Sequence, residues 1–288
     1  MKVLIGCISF KNLTGSELYV FELAKHLALL NCDVTIASLV KDSPLIEKVK
    51  EFNIKTVFLQ DLHKNEKWDI IQTQHLPVTK YLCELYPDIK KIYTIHSEII
   101  EVENPYVHYS IVKYIAIRPE IKKYLIDEFS IDENQIEIIY NPIDESRFYE
   151  ANTKQYNTTL FVGTLNDIRK YMLFDLVDYT KQTGKLLWLV GTNHDTYLST
   201  LLKNDHVKHT NSTNKIEEYY QRCSETAGIM LGRTTIEGWM CNKPGWIYNV
   251  DITGKIIDKK FTTPPSDINK FYAKNVANKF LDLFKKVL

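Results

Sequence analysis

Gly228-Ile-Met-Leu-Gly232-Arg-Thr-Thr-Ile-Glu237-Gly-Trp-Met-Cys-Asn-Lys243-Pro244, running on into Gly245-Trp-Ile-Tyr248, is the stretch on which the reading of this chain turns. Its opening apolar run predicts a strand at Gly228–Leu231, the residues after Gly232 predict a helix over Thr234–Cys241, and the turn at Lys243-Pro244 leads into a strand at Gly245–Tyr248. Strand, helix and strand at this spacing make a βαβ unit on a parallel sheet. Free backbone N–H groups at the helix start, beside Gly232, attract an anion. Glu237 can accept more than one hydrogen bond at once. The same Thr234-x-x-Glu237 spacing also fits a helix capping box, which needs no ligand.

Short apolar runs alternate with amphipathic segments along the rest of the chain as well. Val3–Ile8, Val34–Ala37, Thr56–Leu59, Ile70–Thr73, Ile92–Ile95, Tyr114–Ile117 and Ile136–Tyr140 read as strands. Helices are expected through Val20, Leu23, Ala24, Leu27 and Leu30, and over Glu120–Phe129. Asn141–Asn157 is polar, carries Pro142 and fits an interdomain linker. The pattern then restarts with strands at Thr159–Val162 and Leu186–Val190 and helices at Tyr171–Thr183 and Lys215–Cys223. The expected organisation is a Rossmann-like domain over residues 1–150, a second over 151–267, and a terminal helix or kinked pair over 268–288 packing back on the first. Two such α/β domains leave a cleft facing the carboxyl ends of both sheets, where open α/β folds take ligands.

Composition narrows the function. Apolar residues make up 44% and charged residues 25%, an ordinary globular profile. Lys+Arg and Asp+Glu balance at 36 each, which disfavours general nucleic-acid binding. The pairs Lys90-Lys91 and Lys122-Lys123 read as solvated helix faces, with membrane or acceptor contact the rarer alternative. Cys7, Cys32, Cys83, Cys223 and Cys241 show neither a C-x-x-C pair nor an even total, so buried thiols in a reducing cytosol are expected. Met1-Lys2-Val3-Leu4-Ile5 opens straight into a strand pattern without a secretory leader's long apolar core. The chain is therefore expected in the cytoplasm, with any membrane contact peripheral to the inner face.

The Gly228–Pro244 segment resembles the donor-binding segment of family-4 glycosyltransferases of the GT-B fold. The resemblance implies that the amides around Gly232, with Thr234, face the donor phosphates and that Glu237 binds the donor ribose. That family usually carries a second glutamate, contacting the transferred sugar, at the place of Ile229, which cannot accept a hydrogen bond. Leu160-Phe-Val-Gly163-Thr-Leu-Asn-Asp-Ile-Arg169-Lys170 resembles the family's Gly-Arg-Leu-x-x-x-Lys-Gly loop. By that resemblance Gly163, Arg169 and Lys170 meet the diphosphate. Thr164 stands where the family has an arginine, and Arg233 is the candidate for the missing charge.

The first domain agrees. Asn12-Leu-Thr-Gly15-Ser-Glu17 sits where the family carries a glycine-rich loop facing phosphates and acceptor. Tyr93-Thr-Ile-His96-Ser97 is similar to its Thr-x-His segment, whose histidine reaches the transferred sugar. His75, ending Asp69-Ile-Ile-Gln-Thr-Gln-His75, reads rather as a structural histidine. Tyr140-Asn141-Pro142-Ile143-Asp144 through Phe148 resembles the junction between the family's lobes.

The resemblance implies a retaining glycosyltransferase moving a sugar from a nucleotide-sugar donor to a sugar, lipid-linked or protein acceptor, with no metal and no other cofactor. There is no Asp-x-Asp metal-diphosphate pair, Gly-x-Ser-x-Gly elbow, His-Glu-x-x-His helix or Walker loop, and Gly6-Cys-Ile-Ser-Phe-Lys lacks G-x-G-x-x-G. Two alternatives stay open: a nucleotide-sugar epimerase of the same fold, and a non-catalytic carbohydrate- or nucleotide-binding protein.

Overall fold

The computed structural model describes residues 1–288 and divides them into two compact units. One comprises Met1–Pro142 with Lys270–Leu288, the other Ile143–Asn269.

In the first unit seven strands form a parallel sheet: β1 (Lys2–Phe10), β2 (Asp33–Lys41), β3 (Lys55–Phe58), β4 (Ile70–Gln74), β5 (Lys91–Ile95), β6 (Ile111–Ala116) and β7 (Ile136–Ile138). Their spatial order is β3-β2-β1-β4-β5-β6-β7. Helices α1 (Gly15–Leu29), α2 (Leu45–Lys50), α3 (Leu76–Leu85) and α4 (Pro119–Phe129) lie in the connections. β4 and β5 are buried along their whole length even though Gln72, Thr73, Gln74, Lys91 and Thr94 are polar. The chain leaves β1 toward β2 on one side and later returns as β4 on the other. The loops after β1 and β4 therefore diverge at the position where open α/β sheets bind ligands.

The second unit holds β8 (Thr158–Val162), α5 (Asp167–Thr183), β9 (Leu186–Val190), α6 (Leu198–Leu201), β10 (Val207–Thr210), α7 (Ile216–Arg222), β11 (Glu225–Ile229), α8 (Arg233–Met240), β12 (Gly245–Val250) and β13 (Ile256–Thr262). Its sheet runs β10-β9-β8-β11-β12-β13, parallel except for β13, which is antiparallel to β12. The β8/β11 boundary is the corresponding divergence point. Gly191 is indispensable to this edge: its φ is 154°, and a Cβ there would sit 1.9 Å from the Gly163 carbonyl oxygen. The last helix, α9 (Ala273–Val287), follows a 3₁₀ turn at Ile268–Phe271 and packs on α1 in the first unit. Its Phe280 and Phe284 join the core of Val3, Ile5, Tyr19 and Leu23.

Several elements differ from the sequence reading. The strand expected at Gly228–Leu231 runs from Glu225 to Ile229 and stops where Met230 takes φ 54°. Its first residues look too polar for a core strand, but Glu225 is buried against Lys185 Nζ and Thr159 Oγ1, each at 2.5 Å. The helix expected from Tyr171 starts at Asp167, so Arg169 and Lys170 belong to its first turn. Lys91 is neither on a solvated helix face nor available to a membrane. It lies in β5, fully buried, with Nζ donating to Tyr86 O, Ile89 O and Ser110 Oγ, and burial lowers its pKa to about 8. Residues 141–157 do not run free throughout: Ile143 and Phe148 are buried, and Phe148 meets Tyr220 edge-on. All five cysteines are free and buried. No helix is long and apolar enough to cross a membrane.

Candidate active site

In the first unit the divergence point is built around a carboxylate. Glu17, in the first turn of α1, accepts from Ser9 Oγ (2.5 Å), Lys11 N (2.9 Å), Asn12 N (3.1 Å) and Thr14 Oγ1 (2.6 Å). Burial works against its ionised form, yet these four donors hold the carboxyl below the usual carboxylate range. Glu17 thus pins the loop so that α1 begins at Gly15 with its amides uncovered by any Thr14 side-chain cap. A Cβ built on Gly15 meets nothing within 4 Å, so packing within the chain does not demand a glycine there.

His75 and His96 follow β4 and β5. His75 caps the start of α3 at φ 67°, and its Nδ1 accepts from Ile8 N at 3.3 Å. That bond leaves the ring proton on Nε2, which points to Glu103 Oε1 at 3.3 Å. His96 donates Nε2–H to Gln74 Oε1 at 2.6 Å, while Gln74 Nε2 donates to Ser16 O. The Nδ1 lone pair of His96 remains as an acceptor. Tyr19 stands edge-on to the His96 ring at 4.7 Å, and the two imidazole centroids are 6.2 Å apart. Arg118, ahead of α4, pairs with Glu98 and donates to His96 O at 3.4 Å. His75, read from sequence as structural, thus belongs to the same cluster as His96.

Burial lowers the His75 pKa to about 4 and that of His96 to about 3, and it raises that of Glu103 to about 7. The close His75–Glu103 contact is therefore not an ordinary ion pair, because the imidazole stays neutral. The two histidines contribute stability that is full above about pH 6.5 and is lost as pH falls through 4 and 3. Glu103 works in the opposite direction, its contribution being lost as pH rises from 4.5 to about 7. Two groups oppose one, so the melting temperature is expected to fall between pH 6.5 and 4.5. A melting temperature that is flat or rising over that window, measured by calorimetry, would show that the histidines do not stay neutral.

In the second unit, Gly163 follows β8 with φ 150°, its N–H bonded to Val190 O at 3.0 Å. Asn166 precedes α5, and Arg169 is tethered to it by Nη1–Oδ1 at 2.9 Å. The Arg169 Nε lies 3.5 Å from where a Gly163 Cβ would stand, so the guanidinium is folded over the glycine loop, partly buried, which lowers its pKa. Lys170 is exposed. β11 lies beside β8, and Gly232 precedes α8 with only Ile229 O, at 3.7 Å, near a Cβ position.

Glu237 is not part of a capping box. The residue before α8 is Gly232, with no side-chain cap, and Thr234 is already inside the helix. Glu237 is 4% exposed, and its carboxyl accepts Arg233 Nε at 2.7 Å. Burial raises its pKa, while Arg233 and Tyr220 oppose the rise. Thr234 Oγ1 would lie 3.1 Å from a Cβ on Gly228. Gly163, Arg169, Lys170, Gly232, Arg233, Thr234 and Glu237 thus follow two neighbouring strands, while Gly15 and His96 belong to the first unit. Glu103, Gln74 and Arg118 carried no sequence signal, since each is recruited by a contact distant along the chain.

Comparison with known proteins finds one matching family model and a shared fold. Residues 13–147 match the model described as Glycosyltransferase Family 4. No curated protein sequence matches the chain. A glycosyltransferase from Rickettsia africae ESF-5 superposes with a TM-score of 0.72 at 14% identity, covering 99% of this chain and 98% of that one. AviGT4, a glycosyltransferase involved in avilamycin A biosynthesis, gives 0.71 at 11% identity over 99% and 97%. Anabaena Alr3699/HepE, solved with UDP and glucose, gives 0.67 at 15% identity over 100% and 90%. At these identities the structures establish a shared fold, and the family match speaks for the chemistry. Residues 13–147, just under half of the chain, carry the Glycosyltransferase Family 4 match, and the fold is that of the GT-B glycosyltransferases.

Proposed function

We propose that the chain is a retaining, metal-independent glycosyltransferase that moves a hexosyl group from a nucleoside-diphosphate sugar to a glycan, lipid-linked or protein acceptor in the cytoplasm. The observation that carries this reading is the placement of the Arg169 guanidinium over the Gly163 loop, on the strand next to the one that leads into Gly232. Departure of the nucleoside diphosphate leaves an oxocarbenium-like sugar, and the diphosphate's growing charge must be met. Arg169, with Lys170 and the amides around Gly232, supplies that charge from the chain itself. One preorganised donor of this kind is worth on the order of 3 kcal/mol, roughly a hundredfold in rate. Arg233 is the weaker contributor, because its Nε is already committed to Glu237. The leaving phosphate helps to deprotonate the acceptor, so no carboxylate nucleophile is required. Gly15 and Gly232 both leave space in front of a helix start, which a phosphate can enter.

The UDP found in the Anabaena neighbour makes UDP and UDP-sugars the first ligands to try, followed by their GDP, TDP and ADP counterparts. A nucleoside diphosphate at 100 times its dissociation constant should stabilise the protein by about 2.7 kcal/mol, with EDTA present. A thermal shift that vanishes in EDTA and returns with Mg²⁺ or Mn²⁺ would overturn metal independence. Diphosphate release that needs no acceptor, with the sugar epimerised, would replace the transferase by an epimerase.

A further inference from the structure

We propose that Glu103 is a positioning residue for His96: as a carboxylate it accepts the His96 backbone N–H, faces His75 Nε2 and fixes the turn that carries His96, and its protonation releases that turn. The inference rests on reading His96 as the group that meets the transferred sugar.

Glu103 closes a 3₁₀ turn, Glu101–Glu103, in the connection that follows β5, and only 4% of its surface is exposed. Oε2 accepts the His96 backbone N–H at 3.1 Å, and Oε1 faces His75 Nε2 at 3.3 Å. Because Ile8 N–H occupies His75 Nδ1, the Nε2 atom must carry the ring proton. Both carboxyl oxygens therefore face donors. A proton added to either oxygen has no acceptor among these partners. Moving the His75 proton to Nδ1 would only set it against Ile8 N–H. The arrangement is satisfied by the carboxylate and by nothing else that Glu103 can become.

The charged and titratable groups around it do not change that conclusion. Tyr93, on β5, donates its hydroxyl to Asn104 O at 2.8 Å and is held neutral by burial. Glu17, on α1, is satisfied by its own four donors and acts on His75 only at a distance. Arg118 and Glu98 pair with each other, and the arginine reaches the carbonyl of His96 rather than Glu103. The neutral histidines do not offset the cost of a buried negative charge, so the carboxyl is pushed up to about 7 and titrates within the working range. Deprotonated Glu103 holds the His96 turn; protonated Glu103 leaves an O–H without a partner, and the His96 N–H contact loosens.

The test compares pH–rate profiles of the wild type, Glu103→Gln, His96→Ala and the double variant with a UDP-sugar that the wild type turns over. Wild-type kcat should fall on the acid side with an apparent pKa near 7. Glutamine offers one oxygen but opposes the second donor with its NH₂. Glu103→Gln should therefore lose about tenfold or more in kcat, with donor KM little changed and the acid limb gone. In the His96→Ala background, Glu103→Gln should cost little further. Losses that multiply in the double variant would show that Glu103 does not act through His96. An impaired His96→Ala beside a Glu103→Gln that keeps wild-type kcat and acid limb would overturn the role of Glu103 alone. A fully active His96→Ala would overturn the reading of His96, and this proposal with it. If Glu103→Gln does not fold, imidazole ¹⁵N shifts of the wild type decide. His75 and His96 should show Nε2–H tautomers whose resonances move with an apparent pKa near 7, and resonances unchanged from pH 6 to pH 8 would refute the proposal.

Discussion

Glu237→Ala is expected to destabilise the second unit strongly. The alanine would leave the buried Arg233 guanidinium without its carboxylate. Breaking one side of a buried pair typically costs about 3–5 kcal/mol, so the melting temperature should drop by many degrees. That loss by itself says nothing about the nucleotide, which is why Glu237→Gln is the informative partner. Glutamine keeps the size and an acceptor for Arg233 but lacks the charge that would hold ribose hydroxyls. A charge-assisted bond of that type is worth roughly 1.5–3 kcal/mol, so nucleoside-diphosphate affinity should weaken by about ten- to a hundredfold by calorimetry. A folded Glu237→Gln protein with wild-type nucleotide affinity would reduce Glu237 to a structural partner of Arg233.

His96→Ala should show the reverse pattern, with the fold and nucleotide affinity kept and turnover lost. Its neutral ring presents Nδ1 as an acceptor, oriented by Gln74 on one side and Tyr19 on the other. The charged groups assigned to the diphosphate, Arg169 and Lys170, belong to the other unit, so removing the imidazole should leave nucleoside-diphosphate binding nearly unchanged. An interaction made mainly in the transition state lowers kcat and kcat/KM together. A loss of ten- to a thousandfold, about 1.4–4 kcal/mol, is expected. Since the His96 pKa lies near 3, His96 itself should contribute no limb to the pH profile above about pH 5. Parallel losses of nucleotide affinity and rate would move His96 to the wrong subsite, and full activity would make it a structural histidine.

The legible part of this protein is whatever depends on local periodicity. Buried parallel strands need apolar side chains on both faces, so Val3–Ile8 and Leu186–Val190 announce themselves. Elements whose polar residues are satisfied by distant partners do not. The start of β11 hides behind Glu225 and Thr226, and Lys91 hides in β5, because their pairing partners are remote in sequence or in backbone turns. The edge strand β13 is mostly exposed and carries no apolar face to read.

The same division holds for the candidate site. From the sequence alone come the α/β class, the glycines after β8 and before α8, the arginine at 169, the glutamate at 237 and the histidine at 96, because each is tied to a strand end or a helix start a few residues away. Only the tertiary structure decides what these groups are bonded to. It pairs Glu237 with Arg233 instead of a helix cap, folds Arg169 over Gly163, and joins His75 to His96 through Glu103. A side chain's protonation state and tautomer depend on burial and on donors brought in from other strands, and no local pattern of residues specifies those.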